Sequence, residues 1–406
     1  FIASGDVSTT APIDLAPCGT FNIEGTAFID GNVRTAAFGT SRIEADGFLE
    51  FDASGMVTVR TDSTLEVSAT NGSDFEGTTV IRNRGVLSGY ADSGYGIDNS
   101  GTMHMMDGAS LECDGAQNTG TLNAQGTIIG NLANASDGAA NGVGDLMHIG
   151  DLSNDGTVDI FRGVYYLTGD LTNNGTINGQ IDEGPGLRGG EETQPGDGLN
   201  VIGSYNAGPE AKLTMPHEYW AIRIGGHVNL AINDSANFHM SLAELHTTGR
   251  TDGVQDIEVM GTDLGNTEDG LEQGVAGNFP LGTLRIDGMS SARLVDTHDN
   301  DSLGQGAGEA FYCDTLVVDG YLDTNGYKVY ANNVIINGSV SNDDDVIIID
   351  PPVYGDLTDD GVVDVLDLLV VIADWGTCPG TCSNADLNSD GIVDVLDLLI
   401  ILQQWS

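Results

Sequence analysis

One nine-residue string occurs almost twice. Gly150-Asp-Leu-Ser-Asn-Asp-Gly-Thr-Val158 returns as Gly169-Asp-Leu-Thr-Asn-Asn-Gly-Thr-Ile177, 19 residues later. Its core, Asn-x-Gly followed by Val or Thr, also starts at Asn83, Asn99 and Asn118, so the intervals from Asn83 to Asn173 are 16, 19, 36 and 19. The long interval is two turns of about 18. A later echo pairs Thr283-Leu-Arg-Ile-Asp-Gly288 with Thr315-Leu-Val-Val-Asp-Gly320. Strand-like alternation such as Thr121-Leu-Asn-Ala-Gln-Gly-Thr-Ile128 fills the space between signatures and points every second side chain inward. A coil of this length cannot bury its apolar side alone, but coils stacked about 4.8 Å apart bury a continuous column. The expected fold is mainly β, a right-handed parallel β-solenoid (β-helix) over residues 1–350. Asn and Gly are expected at its corners, where positive φ is needed. A β-sandwich is the rival, since it too has regular short strands. The period fades across 180–280, and the Gly-rich stretch 183–200 predicts an irregular insertion there.

Composition narrows the partners. Lys plus Arg number 13 against 61 Asp plus Glu, a formal net charge of −48, while 40% of residues are apolar. The chain can therefore build a core, so an acidic disordered tail is excluded. Phosphate contacts need Lys and Arg, so no nucleic acid is expected as a partner. Calcium is favoured, because carboxylates recruit it and it offsets their repulsion. No apolar run is long enough to predict a membrane span. The first residue is Phe1, as expected of a secreted product whose leader has been removed. Five cysteines leave at least one thiol unpaired within the chain. Cys378 and Cys382 are the candidate disulfide, with two free thiols as the alternative; the pairing of Cys18, Cys113 and Cys313 stays open.

From about residue 351 the periodicity changes, beyond a short stiff connector, Asp350-Pro-Pro-Val-Tyr354. Asp356-Leu-Thr-Asp-Asp-Gly-Val-Val-Asp-Val-Leu-Asp367 and Asp386-Leu-Asn-Ser-Asp-Gly-Ile-Val-Asp-Val-Leu-Asp397 each precede an apolar helix. Over 356–375 and 386–405, 12 of 20 positions are identical. Each string is a twelve-residue calcium loop, with oxygen donors at positions 1, 3, 5, 9 and 12 and Gly at 6. Alternate side chains of a tight loop converge on one point, and the last carboxylate arrives on the incoming helix. The predicted ligands are Asp356, Thr358, Asp360, Asp364 and Asp367 with the Val362 carbonyl, then Asp386, Asn388, Asp390, Asp394 and Asp397 with that of Ile392. Two calcium ions are expected, the first held less tightly because Thr358 is a weaker neutral ligand than Asn388.

The duplicated unit resembles a type I dockerin, particularly those ending secreted proteins of planctomycetes and related bacteria. The resemblance covers about 354–406 and includes the Cys-Pro-Gly spacer. A second, weaker one likens 282–330 to the end of the solenoid region in such proteins. Dockerins plug into cohesin modules through surfaces that include loop positions 10 and 11. Here those are Val365-Leu366 and Val395-Leu396, apolar where polar pairs are often found. The helices argue the same way from their own composition. A helix apolar on nearly all sides needs cover that a module of some fifty residues cannot supply. Part of Val365, Leu369, Ile372, Leu396, Leu399 and Ile400 is therefore expected to meet either the solenoid of the same chain or another chain, a cohesin-like module or a neighbouring copy.

Other candidates are weaker. Met103-His-Met-Met106 suits copper less well than a packed strand. Tyr219, Trp220 and Arg223 suggest a sugar platform, and the acids at 296, 299 and 301 and at 343–345 suggest further calcium. No catalytic set stands out, so the expected function is a non-catalytic structural or assembly protein of the cell surface or extracellular matrix. Filament or layer formation, as a homo-polymer or surface complex, would suit it. The alternatives are a carbohydrate-active enzyme or sugar-binding module carried by its dockerin, and an adhesin.

Overall fold

The computed structural model describes the strands within residues 1–94, then residues 95–349 except 114, 162, 181–196, 250–252 and 301–307, and finally 355–405 except 359–361 and 378–383. It divides into two compact units. One holds residues 1–264 and 269–347, the other 265–268 and 348–406.

The large unit is mainly parallel β-structure. Among the described residues its strands form a 24-stranded and a 15-stranded sheet. In the 15-stranded sheet the order follows the chain, so Ile97–Asn99 pairs in parallel with Ala116–Asn118, then Leu132–Asn134, Leu152–Asn154 and Leu171–Asn173. The larger sheet carries two further columns of the same kind. One runs through 102–105, 121–124 and 139–142 to Thr157–Phe161 and Thr176–Gln180. The other runs through 109–112, 126–129 and 146–148 to Val164–Leu167 and Gly198–Val201. Each circuit of the chain thus adds one strand to each of three columns, and the repeat length is the length of a circuit.

The stretch whose repeat fades in the sequence keeps the columns. Gly198–Val201, Ala221–Ile224 and residues 244–247 pair in succession, as do Tyr205–Ala207 and Val228–Leu230. Between strands the corners lengthen, which spoils the period while leaving the register intact. Residues 259–280 depart from the columns, with three-residue and four-residue turns of 3₁₀-helix at Val275–Gly277 and Glu268–Leu271.

One inward row shows how the interior is built. Leu87, Leu111, Ile128, His148, Leu167, Val201, Ile224, Thr247, Ile286 and Val318 stack through successive circuits, each at 1% exposure or less. His148 is the titratable member. Burial pushes its pKa down to about 4, against a smaller lift from its bond to the Gly130 carbonyl and from Asp151.

The signature asparagines do something the sequence reading did not anticipate. Asn99, Asn118, Asn134, Asn154 and Asn173 are buried, and each of the first four donates from Nδ2 to the Oδ1 of the next, at 2.7–2.8 Å. Their second amide hydrogens go to backbone carbonyls such as Ala139, Thr157 and Thr176. Among the described residues only Asn325 and Ser389 carry positive φ without being Gly, so these asparagines are not corner residues. Asn134 fills the 36-residue gap, and Asn83 falls in another column, opposite Met105. A second ladder follows the repeated Gly-Asp pair. Asn131, Asp151 and Asp170 each accept the backbone N–H of the residue one circuit on, from Asp151, Asp170 and Ser204. The preceding Gly150 has φ +151°, and a Cβ there would run into the Gly130 carbonyl.

Candidate functional site: the C-terminal loop-helix repeat

The small unit contains helices α1 (Val365–Ala373) and α2 (Val395–Gln404). Both start in the same way. Asp364 and Asp394 are N-caps in extended backbone, and Asp367 and Asp397, three residues on, complete a reciprocal capping box. Carboxylates at both positions also complement the positive end of the helix. The core between the helices is small: Val363, Val371, Ala385, Val393 and Ile401, with Leu357, Leu368, Leu387 and Leu398 packed against it. Most of these residues are paired at the 30-residue offset of the repeat. The short strand Ile392–Val393 adds an antiparallel pairing with Gly376–Thr377.

The predicted ligands lie on these loops. In the second loop Asp386 accepts the N–H groups of Asp390 (3.1 Å) and Gly391 (2.9 Å), and Asp390 accepts that of Ile392 (3.0 Å). Asn388 Oδ1 accepts the Asp390 N–H, and Asp397 accepts those of Asn388 and Asp394. Gly391, at position 6, has φ +88°, the sharp turn the motif requires. In the first loop Asp367 accepts the N–H groups of Leu357, Thr358 and Asp364 and the Thr358 hydroxyl. Burial raises the Asp367 pKa, but these hydrogen bonds outweigh it and hold the carboxyl below its ordinary range. Asp360 lies outside the described residues, as do Cys378, Cys382 and Cys18. Cys113 and Cys313 are buried, and Cys313 is a free thiol.

Among the described residues no three acidic, His or Cys side chains are gathered closely enough to hold a metal ion as they stand. The donor set nevertheless fits calcium. Asp367 and Asp397 are fully buried, yet residues 354–404 contain ten Asp and no Lys, Arg or His. Buried carboxylates with only dipolar partners are costly unless a cation compensates them. The module has no cationic side chain of its own, and its hard oxygen donors select a hard divalent ion. Asp356, Thr358 and Asp367, and Asp386, Asn388, Asp390 and Asp397, would hold it; the ion would supply positive charge and draw each loop onto its helix.

Residues 354–404 match the family model for the dockerin type I domain. The chain carries a C-terminal dockerin type I domain. Neither a curated protein nor a solved structure matches the chain. Type I dockerins bind calcium, and the domain indicates calcium-dependent docking to a cohesin-bearing complex. Dockerin proteins are typically extracellular or on the cell surface. Among the described residues no helix is long and apolar enough to cross a membrane.

Of the predicted docking residues, Val365, Leu366, Leu369 and Ile372 on the dockerin's α1 and Val395, Leu396 and Leu399 on its α2 are about half exposed. Ile400 is only partly exposed. Three residues were missed. Trp375, Leu402 and Trp405, at 51, 49 and 46% exposure, continue the same two stripes. The repeat itself was the signal for the tryptophans, since Trp375 and Trp405 close the two copies.

Elsewhere the candidates dissolve into packing. Met103 and Met105 are buried in the columns, and Trp220 is fully buried, which removes it from any sugar platform. Tyr219 rests on His217 with ring centres 4.6 Å apart. Asp345 is 2.7 Å from Lys328 and accepts the Thr324 hydroxyl, so it serves an ion pair rather than a calcium cluster. Asp301 lies outside the described residues.

Proposed function

We propose that this is a secreted, non-catalytic assembly protein in which a right-handed parallel β-solenoid serves as a stiff spacer and the dockerin fixes it to a cohesin-bearing partner. The observation that carries the reading is the doubled stripe of exposed apolar residues on two helices whose loops lack any internal cation. The loops take one calcium ion each, two in all, and the ions order the helices that display the stripes. The solenoid reading is supported by in-register parallel pairing in three columns and by side-chain ladders that continue from circuit to circuit. A spacer of this kind needs stiffness and length, both of which ladders supply.

Two measurements test the proposal on the full chain. Calcium titration calorimetry should return two sites, with the site containing Thr358 the weaker. Immobilised cohesin modules should retain the chain in calcium and release it in EDTA. Retention that ignores calcium would sink the docking reading. Turnover of a polysaccharide, abolished by one substitution in the column unit, would sink the non-catalytic one.

A further inference from the structure

We propose that the surface receiving this dockerin is apolar at its centre and basic at its rim, so that hydrophobic burial holds the complex and charge only steers it. The inference rests on the docking reading above and names the chemistry of its partner.

The stripes carry the argument. Val365, Leu366, Leu369, Ile372 and Trp375 recur 30 residues on as Val395, Leu396, Leu399, Leu402 and Trp405, all between 46 and 52% exposed. Spacings of one, three and three residues keep the first four of each set on one helical face, and the tryptophan follows just past the helix end. No stripe position carries a hydroxyl, amide or charge. Of the carboxylates adjoining the stripes, Asp367 and Asp397 are buried, Asp364 and Asp394 are half-buried helix caps, and Asp374 is exposed at the edge beside Trp375. A polar partner surface would lose its water against these stripes and gain no hydrogen bond beyond those of the two indole N–H groups, which is unfavourable. Apolar surface of this extent in water is instead the mark of an interaction site. The rim chemistry follows from charge: residues 354–404 carry ten Asp and no cation, so an acidic rim would be repelled and a basic one attracted. A second copy of this acidic chain has the opposite electrostatics to what is needed.

The test uses the full chain in calcium over two immobilised sets of cohesin modules, one with apolar and one with polar contact surfaces. We expect capture by the apolar set only. Its association rate should fall roughly tenfold between low and high salt while the dissociation rate stays within about twofold, the signature of steering without charge pairing at contact. Leu366→Ser combined with Leu396→Ser should cut affinity by about 100-fold or more, with the helical signal in calcium unchanged; Leu369→Ser with Leu399→Ser is the second variant. Capture by the polar set, or dissociation accelerated by salt, overturns the inference and leaves docking intact. Calcium-dependent self-association in sedimentation, without capture, assigns the stripes to a second copy and also overturns it. A chain that shows neither capture nor self-association loses the docking reading itself, and this inference with it.

Discussion

The two units bury polar groups in opposite ways. In the columns the buried polar side chains of the main ladder are neutral amides, and each circuit presents the acceptor that the previous one needs, from Asn99 to Asn173. In the dockerin the fully buried polar groups are the carboxylates Asp367 and Asp397, served by backbone N–H groups and by no cationic side chain. A neutral ladder is complete within the chain. A carboxylate cage is complete only with an ion from outside. The contrast predicts a unit indifferent to calcium beside a unit governed by it.

The sharpest way to break this contrast is to remove the ion. In EDTA the dockerin should lose its helical circular dichroism and become open to proteases, while the β signal of the columns persists. A joint loss of both signals would refute the division. Next in size is Asp397→Ala, which deletes the buried carboxylate that holds the Asn388 and Asp394 N–H groups. Because ligand charge sets affinity in oxygen-ligand loops, calorimetry should show roughly 100-fold weaker binding at that site. The thermal transition of the columns should not move.

How much of this was legible in the sequence differs between the units for physical reasons. The calcium loops could be read because their chemistry is local: twelve consecutive residues hold the ligands, and duplication repeats the sentence. Trp375 and Trp405 stood in the same copies and needed only the helical spacing to join the stripes. The strand columns were legible where corners are of constant length, as between Gly150 and Ile177. Beyond 180 the strands persist, but unequal corners erase the period, because register depends on strands and not on corner length. The asparagines were seen at the right interval and given the wrong task. Turn propensity is local and readable, whereas Asn99 bonding to Asn118 depends on stacking that no single circuit encodes. Asn83 satisfied the pattern by chance of spacing and stands in another column.

The ladder itself offers the next test. Asn134→Ala would take the Oδ1 partner from Asn118 Nδ2, leave Asn154 Oδ1 without its donor, and remove one donor each from the carbonyls of Gly138 and Thr157, the first of which keeps the Thr157 N–H. Breaking several buried hydrogen bonds at once should cost the columns about 2–4 kcal/mol in denaturant unfolding, with calcium binding unchanged. An effect of comparable size depends on pH. The folded protein keeps His148 neutral down to about pH 4, while the unfolded chain takes up a proton below its ordinary value of 6.5. The contribution of this group is whole above pH 6.5 and is lost as pH falls towards 4, about 3 kcal/mol at the acid end. His148→Gln should flatten that part of the stability profile relative to the wild type, and an unchanged slope would show the proton goes elsewhere.

The smallest effect bears on whether the dockerin's two halves are equivalent. Both stripes have the same residues or near homologues, the same exposure and the same capping geometry at their helix starts. If a partner can engage with either stripe leading, Leu366→Ser removes one of two equal modes. Affinity should then fall only about twofold, worth about 0.4 kcal/mol. Leu396→Ser alone should do the same. The double variant should lose far more than the product of the singles, because no intact mode is left. Single variants that each approach the double would mean the stripes act together on one surface, and the duplication would then serve a single continuous contact.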